Sequence, residues 1–171
     1  LLKMKINNNI LFLELNDIIK SNIKTVKNLQ KQSTEKLNHQ PASKSWSALA
    51  CIEHINRYDT YYLPMINEKL EQAKYSDVNH FKPGILGYRF ANFLHPDKHQ
   101  LKTKTFPSMN PGSSELDRSI LDNFLTHQSR LSDQLERSRS VDLNKIKIGS
   151  SVTALLQFKL GDLFRVLVFH E

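Results

Sequence analysis

The chain has 171 residues, 39% of them apolar and 24% charged. That is enough for one domain with a real core, marginal for two, and unlike a disordered segment. The net charge is +7, but the lysines and arginines are spread along the chain with no aromatic-basic alternation, so a solvated basic surface outranks a nucleic-acid platform. No apolar run approaches the roughly 18–20 residues that span a bilayer, and the single Cys51 excludes an internal disulfide or a CxxC metal knuckle.

Few glycines and prolines interrupt the chain, and the prolines cluster in its middle, which favours long helices over a many-turned β fold. The spacing predicts a first helix from about Asn9 to Leu37, with Phe12, Leu15, Ile19, Ile23, Val26 and Leu29 on one stripe. Lys20, Lys24, Lys27 and Lys31 lie elsewhere on its wheel. Pro41 ends it in a connection, Asn38–Lys44.

A second helix is expected to start at Ser47, whose hydroxyl can cap a free amide of the first turn. Trp46 and Cys51 then take the two positions of a hydrophobic staple. The inward stripe of this helix reads Cys51, His54, Tyr58, Tyr61 and Met65, with Cys51 as a buried, inert thiol. Pro64 falls inside the pattern and is expected to kink or end it, leaving a second piece from about Met65 to Lys74.

Tyr75–Ser114 is irregular, with a short helix at Ile85–Leu94 and a long segment, His95–Asn110, of a length that is usually functional or mobile. The third helix is expected near Ser113 or Ser114, with Ser114 and Asp117 as a weak capping box and a stripe of Leu116, Ile120, Phe124, His127, Leu131 and Leu135. Val141–Ile148 reads as a connection with a short extended stretch. Ser150 or Ser151 would cap a fourth helix, whose seam runs Leu156, Leu160, Leu163, Leu167, His170. Four amphipathic segments with one long connection between the second and third describe an all-α four-helix bundle.

Of the seven histidines, His39, His80, His95 and His99 fall in or near connections, where an exposed ring with no role is expected; Pro96 argues against pairing His95 with His99. His54, His127 and His170 each replace a hydrophobe on an apolar stripe. Taken alone, each reads as a core histidine satisfied by a hydrogen bond. Converging from facing helices they become candidate ligands, because neutral imidazole is the commonest protein ligand for transition metals. If the second and fourth helices run antiparallel, His54 and His170 share a layer, while His127 lies nearer mid-helix and reads as core. Glu53–His54 lacks the second histidine of a zincin, and there is no P-loop, GxGxxG or GxSxG.

The stretch LNHQPASKSWSALACIEHINRYDTYY, with Trp46, Ser47, Glu53 and His54, resembles the entry to the second helix of the DinB-like superfamily, which includes YfiT-type metal-dependent hydrolases. LGDLFRVLVFHE resembles its fourth-helix signature, in which a leucine-rich run reaches the first histidine of an HxxxH pair, here His170. TFPSMNPGSS before the third helix is also similar. The resemblance covers essentially the whole chain and implies one domain over residues 1–171, an up-down-down-up four-helix bundle. It also implies a divalent metal (zinc, nickel or iron) held by three histidines. His54 and His170 take two of those places; the third would follow His170 by four residues, past Glu171, so the chain is expected to be truncated or its metal lost. The implied activity is metal-dependent hydrolysis or thiol-dependent transfer on a small molecule, and dimers are common among similar proteins, so a homodimer is expected. Apart from the resemblance, the lack of a membrane-length apolar run and of a visible signal peptide points to a cytoplasmic protein without a membrane partner, and the scattered basic residues to one without a nucleic-acid partner. Tyr58, one turn from His54, is a candidate neighbour of the metal, with core packing as its alternative role. The alternative for the chain is a metal-free bundle serving binding or oligomerisation.

Overall fold

The computed structural model describes residues 4–43, 45–95, 104–112, 114–151, 153 and 155–171, and over these the chain is mostly helical. The first helix, α1 (Asn8–Leu29), starts where the Asn7 side chain accepts from the amides of Asn9 and Ile10, at 2.9 and 3.4 Å. Its stripe is buried at Leu11, Phe12, Leu15, Ile19 and Val26, and its lysines face solvent. The expected continuation to Leu37 is not made. The Arg118 guanidinium donates to the carbonyls of Gln30 and Gln32 as the helix ends, and Ser33 caps a separate short helix, α2 (Thr34–Asn38), through the Lys36 amide.

Ser47 starts the second long helix, α3 (Ala48–Glu71), as expected: its hydroxyl accepts from the Ala50 amide at 3.2 Å. Pro64 neither ends nor divides it. The bond that proline cannot donate would go to the Thr60 carbonyl, and both residues lie on the exposed face, where water can serve that carbonyl instead. The inward face also differs from the expected stripe. Leu49, Ala50, Ile55, Tyr62, Leu63 and Ile66 are buried with His54, whereas Cys51 and Tyr61 are exposed. Cys51 is therefore neither a core thiol nor a staple partner.

Two antiparallel strand pairs accompany the helices, and only the extended stretch expected within Val141–Ile148 anticipated any of them. β1 (Ile6–Asn7) pairs with β2 (His80–Phe81), tying the start of α1 to the segment before α4 (Ile85–Leu94). The helix α5 (Ile120–Arg137) begins six residues after Ser114; Ser113 lies outside the described residues, and Asp117 accepts from the Ser119 amide at 2.8 Å instead of boxing with Ser114. Next, β3 (Lys147–Gly149) and β4 (Gln157–Lys159) form a hairpin. The Ser150 amide donates to the Leu156 carbonyl and the Leu160 amide to the Ile146 carbonyl. Ser150 and Ser151 are thus part of the hairpin turn rather than helix caps, and α6 starts only at Leu160, running to His170.

Contacts between helices fix their relative directions. Asn56 donates to the Ile120 carbonyl and Gln134 to the Leu63 carbonyl, so α3 and α5 run side by side in the same direction. Gln30 reaches Asp122 while Arg139 stacks on Phe12, so α1 runs opposite to α5. Asn22 bonds Glu171, and the end of α6 meets the start of α3 through His170 and His54. The main core lies between α1, α3, α5 and α6 and takes in Phe81, Ile148 and Phe158 from the strands; a smaller cluster around Leu49, Leu121 and Phe124 fills the other end. α4 packs on α6, where Asp162 accepts from the Gly84 amide at 2.7 Å. No helix among the described residues is long and apolar enough to cross a membrane.

Candidate functional site

His54 lies in the second turn of α3, only 8% exposed, and His170 is the last residue of α6. The Ser47 cap sets where α3 starts and thereby which turn carries His54. The hairpin ending at Lys159 sets the start of α6 and the level reached by His170. The two helices run antiparallel here, and the rings meet: their Nε2 atoms are 3.3 Å apart and their centroids 5.0 Å, nearly perpendicular.

The Nδ1 of His54 lies 2.8 Å from the Met109 carbonyl, in a short 3-10 turn, Pro107–Met109. A carbonyl only accepts, so Nδ1 carries the proton and donates, leaving the Nε2 lone pair turned toward His170. Trp46 packs against the His54 ring at 4.9 Å, and Tyr58 meets His54 and His170 edge-on at 5.1 and 4.8 Å. Burial pushes the His54 pKa below its usual value. Burial first, and then the neighbouring His54, push His170 down to about 4. Both rings are therefore neutral at physiological pH, the form in which imidazole binds metals.

A cavity of about 150 Å³ opens beside the pair. Tyr58, Tyr62, Phe90, Phe93, Phe106 and Phe158 give it an aromatic wall. Tyr62 is fixed in that wall by the hairpin turn: its hydroxyl donates to Ser151 Oγ at 3.1 Å and accepts from the Ser151 amide at 2.8 Å.

The sequence did not point to a polar group buried close by. Glu171 accepts from Asn22 at 3.1 Å and from Gln128 at 2.8 Å, and burial pushes its carboxyl up to about 7. Asp59 is buried on the same side of α3, and desolvation, then the charge of Glu171, hold its carboxyl well above the usual range. His127, expected in the core, is half-buried, with Nδ1 3.2 Å from Asn56 Oδ1 and 3.9 Å from Asp59. The one signal available was Asn56 and Asp59 lying three apart beside an otherwise apolar face.

The remaining histidines stay apart from the pair. His39 and His80 are exposed, and His80 bonds Asn79. His95 is not the exposed ring expected: it is half-buried and stacks on Phe169 at 4.7 Å, close to Glu14. His99 lies outside the described residues. Among the described residues no group of three or more His, Cys, Asp or Glu side chains is arranged to hold a metal ion. No family model, no curated protein and no solved structure matches this chain.

Proposed function

We propose that the chain is a DinB-like, up-down-down-up four-helix bundle that binds a divalent metal ion through His54 and His170 and acts on a small molecule as a hydrolase or thiol-dependent transferase. The observation that carries the metal reading is the 3.3 Å between the two Nε2 atoms. Two nitrogens bound to one tetrahedral ion at roughly 2.05 Å stand about 3.3 Å apart. The other nitrogen of His54 donates to a backbone carbonyl, the outer contact that commonly orients a metal-bound histidine. The parallel course of α3 and α5, with α1 opposed to α5 and α6 opposed to α3, supports the bundle topology.

Two histidines leave room for further ligands; the resemblance puts the third at the fourth position after His170. A divalent ion held there supplies a Lewis acid and a bound water of lowered pKa. The protein's own part is to fix the His54 tautomer through Met109, to brace both rings with Tyr58, and to present them to an apolar cavity from which a bound molecule excludes water. The resemblance also carries a homodimer, which sedimentation would reveal.

Metal analysis of the purified full-length protein tests the reading. One zinc, nickel or iron per chain in the wild type, falling at least tenfold in occupancy for His54→Ala, is expected; a metal-free wild type or an indifferent variant would sink it. The alternative is a metal-free binding or oligomerisation module. It is favoured by the same 3.3 Å, which also suits a hydrogen bond from His170 Nε2–H to the His54 lone pair.

A further inference from the structure

We infer that the cavity beside His54 and His170 takes a compact single-ring carboxylic acid, with the ring among the aromatic side chains and the carboxylate lying between Lys104 and the histidine pair. This deepens the proposed site, and the histidine end of the carboxylate's placing rests on that reading. Size, wall chemistry and charge each narrow the occupant. An apolar cavity of about 150 Å³ is known to hold a benzene-sized molecule, and this cavity has that volume. One ring matches that volume.

The wall suits a ring more than a flexible chain. Phe90 and Phe158 meet edge to face at 5.7 Å, and Tyr58 and Tyr62 lie parallel at 6.5 Å, so edges and faces of several rings border one space. Aromatic pairs in such arrangements add about 0.5–1.5 kcal/mol to simple burial. Phe90 and Phe106 are 41% and 45% exposed, apolar surface that an occupant would cover.

The charge is one-sided. Among the described residues that line the cavity there is no Asp or Glu, and Lys104 is the single permanent cation. The Tyr58 hydroxyl, with no hydrogen-bond partner among the described residues, is a donor available to a carboxylate oxygen. A neutral ring would leave Lys104 unused, and a cation would meet it with repulsion.

Calorimetric titration tests the inference, with benzoate, benzyl alcohol and 2-naphthoate against the full chain, both dialysed with chelator and loaded with zinc. Benzoate is expected to bind one to one in the metal-free protein, at least tenfold tighter than benzyl alcohol or 2-naphthoate. Lys104→Gln, at an exposed position and with its fold checked by circular dichroism, is expected to weaken benzoate about fivefold and to leave benzyl alcohol unchanged. Benzoate no tighter than the alcohol, 2-naphthoate bound equally well, or a Lys104→Gln variant indifferent to benzoate would each overturn the inference. A protein that takes no zinc yet holds benzoate through Lys104 supports the inference and removes the metal reading. A protein that takes zinc through His54 and ignores benzoate does the reverse.

Discussion

His54 is held by three separate parts of the chain: the Met109 carbonyl, the Trp46 ring, and Tyr58 on its own helix. Those contacts hold a neutral imidazole with one lone pair directed at His170. Burial lowers both histidine pKa values, His170 to about 4, so protons compete for the lone pairs at lower pH than in an ordinary histidine pair. Zinc affinity is therefore expected to fall less between pH 8 and 6 than at an ordinary histidine pair. For an ordinary histidine pair it would already be falling below about pH 6.5. Competition titrations with a chromophoric chelator across that range check this. The neighbouring Glu171 titrates in the opposite sense. Its folded pKa is raised from 4.5 to about 7, so the folded state binds more protons than the unfolded one, and stability intact below about pH 4.5 is lost as pH rises toward and through 7. Glu171→Gln removes that titration. The variant should match the wild type near pH 5 and exceed it in denaturant midpoint at pH 8.

The contact between α4 and α6 is the tightest test of how the elements are assembled. Gly87 lies inside α4, where alanine ordinarily stabilises by about 1 kcal/mol. A β-carbon there would sit 2.3 Å from Asp162 Cγ and 2.4 Å from its Cβ, and these atoms cannot swing aside as a long side chain would. Overpacking should win, and Gly87→Ala should cost about 2 kcal/mol in chemical unfolding. Asp162 is the near carboxylate of Arg165, which is only 6% exposed, at 3.9 Å. Asp162→Ala would leave that guanidinium buried without its partner and the Gly84 amide without its acceptor, a loss of about 3 kcal/mol or more. Element boundaries in the sequence were legible where a local signal fixed them. Ser47 capped α3, and Ile85–Leu94 formed the helix its pattern indicated. They were not legible where partners from elsewhere intervened: Arg118 at the end of α1, and the pairing of β3 with β4 that delays α6 to Leu160.

For the whole molecule, a bound ion is a ligand of the folded state alone, because the unfolded chain does not bring residues 54 and 170 together. Zinc at about one hundred times its dissociation constant should add about 2.7 kcal/mol, or roughly 5–10 °C in Tm for a chain of this size. His54→Ala should abolish the shift, and chelator should reverse it; a Tm indifferent to zinc would argue for the metal-free alternative. The small volume of the cavity and its position among α3, α4, α6 and the hairpin mean that its occupant should add to Tm in the same way.

The sequence by itself determined the helical class, the Ser47 cap of α3, and the histidines that interrupt apolar stripes. Periodicity and capping are local properties, and a chain carries them wherever it folds. It did not determine the phase of α3, because several overlapping stripes at steps of three and four run through that segment; only burial against α5 and α6 left Cys51 outside and Asp59 inside. Nor did it determine the aromatic cavity, whose walls come from segments separated by tens of residues. The approach of His54 to His170 joins two residues 116 apart in the chain. Each histidine was conspicuous on its own helix, but the 3.3 Å between them depends on the antiparallel course of α3 and α6 and on the level at which α6 begins, and only the tertiary structure decides these.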